Sequence, residues 1–467
     1  MKKCLIAIVL LSVCLASCEQ QGSDGLSNDF PDVTFILESG QESSVYQDGF
    51  VFESAWTVED VPEWCSIEPT GGDAGAVGFR LTANSRNADL KEREGLVRIN
   101  IEGSGTVEMW VVQRGTDGVR FLQDSMYATG EGGEVSVNIE GNVAIAPESV
   151  VSDVDWAVLS DVEYSDSTVL GDGRTRSLYY TGRMIFSLST NEEPDSREVV
   201  MSIGDQNISI LQVGAFKDWN EDFYRHSLMQ RFTATWCGYC PAMGEAFDLT
   251  EEEIPGRYVP INMHPSNSDA SLAWSETGYF EQLYSISGYP TAVVNGVACL
   301  YNELTVAVIA KKMAALAEEA VEDFPSATNI MAFSSLEDGV INLNVFVAMK
   351  EKNDYRINIV LLEDGIETSQ SGYTGTYRHE HIARGLLTDA GGDPVQCDGS
   401  QSVALLTYSY ELPSEAVDPD NLSLAVYITE PGSAEGSLSG IVYMDSGIFV
   451  DNAAVLPVNG SVDYKFE

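Results

Sequence analysis

The sequence predicts a multidomain protein with four folded parts: two N-terminal antiparallel β-sandwiches, an α/β domain and a C-terminal antiparallel β-sandwich. Three observations support this fold class. Up to about residue 215 the chain consists of short segments with period-two hydrophobicity, bounded by Gly, Asn and Asp. From Asp218 strand-like and helix-like segments alternate, and after Pro325 the pattern returns to strands alone. The length of 467 residues also fits about three or four domains.

The N-terminus has the pattern of an export signal. Lys2 and Lys3 precede an apolar run, CLIAIVLLSVCLAS, which is too short to span a bilayer and is typical of a signal h-region. The run ends in Leu-Ala-Ser-Cys, which resembles the processing box of bacterial lipoproteins. The resemblance implies that residues 1–17 are removed and that Cys18 carries lipid, which anchors stably when several acyl chains are present. The alternative is an ordinary signal peptide with an incidental cysteine.

The charge of the chain excludes one class of partner. Lys and Arg number 25 against 72 Asp and Glu, which gives a net charge of −47. Such a surface repels nucleic acids and anionic lipid headgroups, so we expect no nucleic-acid partner. The acidic residues are scattered, and the sequence has neither an EF-hand-like loop nor a P-loop, so we expect a solvated acidic surface and no cofactor. No later apolar run is long enough to span a membrane, so the lipid would be the membrane anchor.

Two related β modules are predicted after a flexible polar tether at residues 18–31. Residues 32–115 contain alternating segments such as VTFILES, VGFRLTAN and VEMWVVQRG, which predict an antiparallel sandwich. Residues 116–215 repeat this pattern more loosely, with an insert around SDSTVLGDGRTRSLYYTGR. The repeat pairs Trp64, Asn84, Arg93 and Gln113 with Trp156, Asn191, Arg197 and Gln212.

The repeated pattern resembles the BACON domain, a small β-sandwich of envelope proteins that often lies beside glycan-active modules. The resemblance implies carbohydrate or mucin binding, which requires exposed aromatic faces. Tyr179 and Tyr180, in the insert, are the candidates for exposed stacking residues. Four tryptophans on strand patterns are expected in the core: Trp56, Trp64, Trp110 and Trp156. The other interpretation, which we favour, is that the modules are spacers that lift the next domain off the membrane.

Residues 216–325 predict an α/β domain built around a C-x-x-C motif. The segment SLMQRFTATW is strand-like, and CGYCPAMGEAFDLTEEEI after it is helix-like. Strand YVPINMH, helix SETGYFEQLYSI, strand-opening SGYPTAVVNG and helix TVAVIAKKMAALAEEAVEDF follow. A single C-x-x-C is also half of a zinc site, but no second Cys/His pair lies at a suitable spacing.

Two motifs in this domain resemble the thioredoxin fold: WCGYC at 236–240 and GYPT at 288–291. The resemblance implies a cis-proline, Pro290, which faces the thiols and leaves neighbouring backbone groups free to pair with a substrate strand. It implies that Cys237 is the exposed nucleophile, because a helix N-terminus stabilises its thiolate. Cys240 would then resolve the mixed disulfide.

Arg231 departs from the thioredoxin pattern. Thioredoxins have a buried acid six residues before the nucleophile, which deprotonates the resolving cysteine, and Arg231 occupies that position here. A cation stabilises thiolates but cannot act as a base, which favours slow exchange, oxidation or isomerisation over strong reduction. Alternatively Arg231 simply pairs with an acid. The neighbouring aromatic pair Trp236 and Tyr239 favours a catalytic role for the cysteines.

A more specific resemblance covers residues 216–467. Pro241 follows the second cysteine directly, and FTATWCGYCP and GYPTAVVNG resemble the outer-membrane-protein-twenty-eight-related (Omp28-related) lipoproteins. Those proteins have a thioredoxin-like half followed by a β domain. LLEDGI and YRHEHIARG in residues 326–467 fit the second half, where strand patterns predict an antiparallel sandwich. The resemblance implies an outer-membrane lipoprotein on the periplasmic face or the cell surface.

Two further sets of residues, one of histidines and one of cysteines, are candidate sites. His379 and His381 would share a face on a strand and could hold a metal, but no third ligand is identifiable, so we expect a polar loop or strand edge and no metal. Beyond the C-x-x-C pair, the mature chain has Cys65, Cys299 and Cys397. A Cys299–Cys397 disulfide is a weak prediction; buried free thiols are the favoured one.

The leading hypothesis is therefore thiol–disulfide exchange on exported or envelope proteins by a lipid-anchored protein. Cys237, Cys240 and Pro290 would form the catalytic site. The alternative is a surface adhesion or glycan-binding lipoprotein, whose C-x-x-C forms a structural disulfide and whose glycan partners would bind the BACON-like modules.

Overall fold

The computed structural model describes residues 34–467 except 147–148, 171–176, 267–271, 302–304, 398, 414–417, 433–436, 439–440 and 443–445. The predicted signal peptide, Cys18 and the tether lie outside the described residues. The chain divides into two compact units. The first comprises the chain up to Arg120 with Asn138–Ala146 and Glu163–Arg183, and the second comprises Phe121–Val137, Pro147–Val162 and Met184–Glu467. No described helix has the length and apolar character needed to cross a membrane.

The first β module lies in the first unit and has two sheets around one core. Its strands are β1 Thr34–Leu37, β2 Ser44–Phe52, β3 Trp56–Asp60, β4 Cys65–Glu68, β5 Gly71–Gly72, β6 Gly75–Ala83, β7 Arg93–Ile101 and β8 Gly105–Gln113. The sheet orders are β1-β8-β7-β3-β5 and β2-β6-β4. Alternate residues of both sheets, including Phe35, Phe79 and Val97, point into the shared core, as period-two hydrophobicity requires.

The second β module repeats part of this arrangement. Its strands are β9 Val119–Phe121, β10 Ser125–Ala128, β11 Gly133–Gly141, β12 Val150–Val151, β13 Ala157–Leu170, β14 Ser177–Leu188, β15 Arg197–Ile203 and β16 Gln206–Gln212. One sheet, β10-β16-β15-β12, lies within the second unit. In both modules the first strand of a sheet runs parallel to the last strand of the module: β1 to β8, and β10 to β16.

The residues shared by the two modules have structural roles. Arg93 donates to the Gln113 Oε1 at 2.6 and 2.8 Å and lies 4.8 Å from the ring centroid of Trp64. Arg197 repeats this geometry, with 2.9 Å to the Gln212 Oε1 and 4.3 Å to the Trp156 ring. Both glutamines are fully buried. Their side-chain amides also donate to backbone carbonyls, so the repeat is a hydrogen-bonded core motif.

The repeat alignment needs one correction. Asn191 Nδ2 donates to the carbonyl of Asp195, four residues later, at 2.9 Å. The same bond in the first module is made by Asn87, to Lys91 at 2.8 Å. Asn87 is therefore the counterpart of Asn191, and the predicted pairing with Asn84 is wrong. Asn87 and Asn191 each lie six residues before the repeated arginine, a spacing visible in the sequence.

The α/β part has a mixed sheet with helices on both faces. Its elements are β17 Ser227–Phe232, α1 Cys240–Glu253, β18 Tyr258–Met263, α2 Thr277–Leu283, β19 Thr291–Val294, β20 Ala298–Tyr301 and α3 Val306–Asp323. The strand order is β20-β19-β17-β18, with β18 parallel and β19 antiparallel to β17. α3 buries residues three and four apart, from Ile309 to Ala320, and packs with α1 over β17, β19 and β20.

The C-terminal part continues the same sheet. Its strands are β21 Thr328–Glu337, β22 Val340–Met349, β23 Arg356–Glu363, β24 Ile366–Ser369, β25 Thr376–His379, β26 Ile382–Leu386, β27 Asp393–Pro394, β28 Ser402–Glu411, β29 Leu422–Pro431, β30 Ser437–Leu438, β31 Ile441–Val442, β32 Ile448–Pro457 and β33 Gly460–Val462. β18 pairs with β26 at Asn262 and Ile382, which gives the order β20-β19-β17-β18-β26-β23-β29-β32. A second sheet, β28-β22-β21-β33, packs on this part through a large aliphatic core. β27 pairs with β23 as the ninth strand, so residues 216–325 and 326–467 share one nine-stranded sheet.

Candidate functional site: the disulfide after β17

The candidate site is the turn between β17 and α1, where Cys237 and Cys240 form a disulfide with 5.4 Å between their Cα atoms. The Cys237 N–H donates to Ala234 O at 3.1 Å, and the Cys240 N–H donates to Cys237 O at 3.3 Å. Cys240 is the first residue of α1. Pro241 lies in the first turn, where a helix needs no N–H. The backbone turn therefore delivers both sulfurs to the N-terminal end of the helix.

Pro290 reaches the site through strand pairing. Thr291, the first residue of β19, pairs with Phe232, the last residue of β17, so Pro290 lies at the end of the strand that leads to the disulfide. The Tyr289–Pro290 peptide bond is cis, as the motif predicts. Tyr289 packs against Ala234 and both cysteines.

The two sulfur residues are buried and the aromatic residues around them are exposed. Cys237 is 5% exposed and Cys240 is 2% exposed, so the expectation of an exposed Cys237 is wrong for this conformation. Trp236 and Tyr239 are 53% and 73% exposed. The Trp236 ring stacks on Tyr289, with 5.7 Å between ring centroids. An aromatic surface thus flanks a disulfide that is itself covered.

The tip of the β24–β25 hairpin, residues 370–375, binds the backbone of this turn, a contact that the sequence does not predict. The Gln370 Nε2 donates to Ala234 O at 3.0 Å and to Cys237 O at 2.9 Å. The Ser371 N–H donates to Thr235 O at 2.7 Å. Gly372 approaches so closely that a Cβ there would lie 2.1 Å from the Gly238 carbonyl oxygen. Backbone carbonyls of the C-x-x-C turn are therefore satisfied by a segment more than 100 residues away in sequence.

Arg231 binds the same hairpin. It is 5% exposed, its guanidinium lies 5.6 Å from the Phe247 ring centroid, and it hydrogen-bonds the hydroxyl of Tyr377 on β25. Burial lowers the pKa of Arg231, while Tyr377 and the nearby Asp248 charge act in the opposite direction. The residue in the position of the thioredoxin acid therefore contacts the hairpin.

His379 and His381 do not share a face. His379 is buried, with its ring centroid 5.5 Å from that of His264. His381 has a left-handed backbone with φ of 53°, which breaks the strand alternation, and its Nδ1 lies 3.1 Å from Asp364. Burial alone would raise the pKa of Asp364, but the contact with His381 holds it below its usual value. Within the described ranges, no group of three His, Cys, Asp or Glu residues could hold a metal ion.

The other described cysteines, Cys65, Cys299 and Cys397, form no disulfide. Cys65 is buried, and Cys299 and Cys397 are half-buried. The weakly predicted Cys299–Cys397 disulfide is absent. The Cys397 Sγ donates to Gly399 O at 3.1 Å, while Cys299 lies on β20, where burial raises its pKa to about 11.

The exposure of the aromatic residues in the two β modules differs from the prediction. Tyr179 and Tyr180 are buried, and their hydroxyls donate to Glu140 and to Val143 O at 2.6 Å each, so their expected exposure is wrong. Trp56 is in the core as predicted. Trp110 is 41% exposed, which contradicts its predicted place in the core. Trp64 and Trp156 are half-buried under the repeated arginines.

Comparison with known proteins supports one of the predicted relationships. The family model of outer membrane protein Omp28 matches residues 278–439, which is less than half of the chain. This match supports the Omp28-related family. No curated protein matches the chain.

Among solved structures, HBP35 of Porphyromonas gingivalis is similar at 17% identity and a TM-score of 0.42, covering 51% of this chain and 76% of that one. Protein AGR_C_4864 from Agrobacterium tumefaciens is similar at 15% identity and a TM-score of 0.32, covering 50% and 94%. A GH5 xyloglucanase of Bacteroides ovatus matches 18% of each chain at 20% identity, with a TM-score of 0.16. These likenesses are too distant to carry a functional argument.

Proposed function

We propose that this protein is a lipid-anchored envelope protein whose α/β part is thioredoxin-like and exchanges thiols and disulfides with exported proteins. The observation that carries the proposal is the Cys237–Cys240 disulfide at the N-terminal end of α1, beside Pro290. The strand order β20-β19-β17-β18, with α1 and α3 on one face, is the arrangement expected of a thioredoxin-like domain. The Omp28 match favours an outer-membrane or envelope location, and anchoring through Cys18 is part of the proposal.

The exchange step follows from the positions of the two sulfurs. A thiolate of the partner attacks the Cys237 Sγ, the Cys237–Cys240 bond breaks, and Cys240 leaves as a thiolate. The free N–H groups at the start of α1 stabilise this leaving thiolate, which later takes a proton from solvent. A second partner thiol then attacks the mixed disulfide and releases Cys237. The partner dithiol becomes a disulfide and the C-x-x-C pair becomes a dithiol, so two electrons pass to this protein.

The two N-terminal modules act as spacers in this proposal. The residues that define their repeat are used in buried hydrogen bonds and cation–π contacts, which leaves them no surface for a sugar. The insert tyrosines are buried as well. BACON-like β-sandwiches of this kind would hold the redox domain at a distance from the lipid anchor.

The burial of both sulfurs favours one alternative, in which a surface-binding lipoprotein uses the pair as a structural disulfide. The two functions predict different cellular behaviour. In the reverse of the exchange step the Cys237 thiolate attacks a partner disulfide, and Cys240 resolves the mixed disulfide that forms. If Cys237 exchanges, Cys240→Ala leaves these mixed disulfides unresolved, and covalent complexes with envelope proteins accumulate. Non-reducing electrophoresis of acid-quenched cells would detect them, and reductant should release the partners.

Cys237→Ala and Cys299→Ala are the matched controls, and neither should trap partners. A structural disulfide predicts no trapping in any variant and a reduction potential below about −300 mV. That combined result would replace exchange with the surface-binding alternative.

A further inference from the structure

We propose that the tip of the β24–β25 hairpin, residues 370–375, is a gate over the Cys237–Cys240 disulfide. When docked, it excludes a protein partner, and when released, it admits one. The purpose of this gate rests on the proposed exchange function. Control of access to the disulfide can be measured whether or not exchange occurs in cells.

The docked tip donates hydrogen bonds to backbone carbonyls of the turn that carries the cysteines. Gln370 is 5% exposed, and its amide binds the carbonyls of Ala234 and Cys237. Ser371 binds the carbonyl between them in the turn, at Thr235. A partner chain that approached this side of the turn would meet carbonyls already paired and the Gly372 backbone packed on Gly238.

The hairpin is built so that its tip can leave while its base stays. β24 and β25 form a separate two-stranded sheet, and such hairpins are marginally stable without further packing. The base is fixed by Tyr377 at Arg231 and by the buried His379. Beyond Gln370 the tip residues 371–376 are exposed. Opening the tip therefore breaks a few hydrogen bonds and leaves the core intact, which is the pattern of a local opening.

Two glycines of the tip provide a matched pair of variants. Gly372 and Gly375 both have left-handed φ angles, of 81° and 99°, so an alanine strains the backbone at either position. A Cβ at Gly372 would collide with the Gly238 carbonyl oxygen, whereas a Cβ at Gly375 meets nothing within 4 Å. Gly372→Ala thus displaces the docked tip, and Gly375→Ala applies similar strain without touching the disulfide turn.

The test is the rate at which reduced thioredoxin, and separately dithiothreitol, reduces the disulfide in the full chain, followed by acid quench and thiol alkylation. If reaction requires the open tip, the rate follows the open population. Gln370→Ala removes two hydrogen bonds to the turn and should raise the thioredoxin rate about tenfold. Gly372→Ala should do the same, and Gly375→Ala should stay within about twofold of the unaltered protein.

Cys299 is an internal reporter of general loosening, since it is a half-buried cysteine outside the disulfide, on strand β20 of the same sheet. Its alkylation rate should not change in the two accelerated variants. Unaltered reduction rates in both Gln370→Ala and Gly372→Ala would overturn the gate, as would a parallel rise in Cys299 alkylation. Faster reduction of the variants without trapped partners in cells would refute the exchange function but support the gate. Trapped partners in cells with unchanged reduction rates would support the exchange function and refute the gate.

Discussion

At the scale of single residues, Arg231 shows how the side chain six positions before Cys237 affects the surroundings of the disulfide. An acid at this position can act as a base for the resolving cysteine, whereas a buried guanidinium needs acceptors and a π face. The chain provides the Tyr377 hydroxyl and the Phe247 ring. The side chain at this position therefore contacts the hairpin and does not act as a base.

Tyr377→Phe tests this interpretation. The variant keeps the ring and removes the hydroxyl that Arg231 binds, so a buried charge loses a partner. We expect the free energy of unfolding to fall by about 1–3 kcal/mol, measured by urea denaturation. Tyr373→Phe, whose hydroxyl belongs to an exposed ring on the same hairpin, is the control and should be near neutral. Equal effects of the two variants would contradict the docking role of Arg231.

At the scale of elements, the sequence predicts local structure well and long-range contacts poorly. The C-x-x-C turn, α1, α3 and the position of Pro290 follow from short motifs and helical periodicity. β32 contains the pair Asp451-Asn452, which by sequence alone is typical of a turn. In the structure Asp451 accepts from the Ala327 and Thr328 N–H groups at 2.9 Å each, so these polar residues are buried inside a strand.

The contact between the hairpin and the disulfide turn is another long-range contact that the sequence does not predict. Its tip carries turn residues, SGYTG, that any surface loop would use, and nothing in that pattern specifies the site it contacts. The carbonyl of Cys237 is bound by this distant segment, so the contact could not be derived from the motif around the cysteine. The sequence therefore predicts the position of Pro290 beside the C-x-x-C turn but not the accessibility of the sulfurs.

Gly244→Ala is the prediction that belongs to helix α1. Alanine is normally the better helix former by about 1 kcal/mol. Here a Cβ would lie 2.5 Å from the Arg231 Nη1 and 2.6 Å from the Tyr377 hydroxyl, so the substitution separates the pair that holds the hairpin. We expect a net loss of stability of about 1–3 kcal/mol in urea denaturation.

The matched control is Gly278→Ala in α2, where a Cβ meets nothing within 4 Å. It should be neutral or stabilising by up to about 1 kcal/mol. A stabilising Gly244→Ala would show that the helix surface can accept the methyl group and that the close packing around Arg231 is not required.

At the scale of the whole molecule, the nine-stranded sheet of the second unit carries a half-buried carboxyl group, that of Glu430. Glu430 lies at the end of β29, near the buried Asp451 and Arg225. Burial, together with the charges of Asp451 and Glu351, raises the pKa of Glu430 to about 7, although Arg225 and a hydrogen bond from Asn353 oppose the shift. A carboxyl group whose pKa is raised on folding stabilises the folded protein fully at pH below its unfolded value near 4.5, and that contribution is lost as pH rises through about 7.

Glu430→Gln should therefore change how stability depends on pH. Glutamine imitates the protonated carboxyl, so the stability advantage of the variant over the unaltered protein should be small at pH 5 and should grow as the pH rises to 8. His226 acts in the opposite direction, because burial lowers its pKa to about 4 and stability is lost as pH falls below its unfolded value of 6.5. Its effect is common to both proteins and cancels in their difference. Urea denaturation at pH 5, 6, 7 and 8 measures that difference, with the exposed Glu411→Gln on β28 as control. A constant difference across this range would mean that Glu430 titrates alike in the folded and unfolded chain, and that its buried surroundings do not couple the sheet to pH.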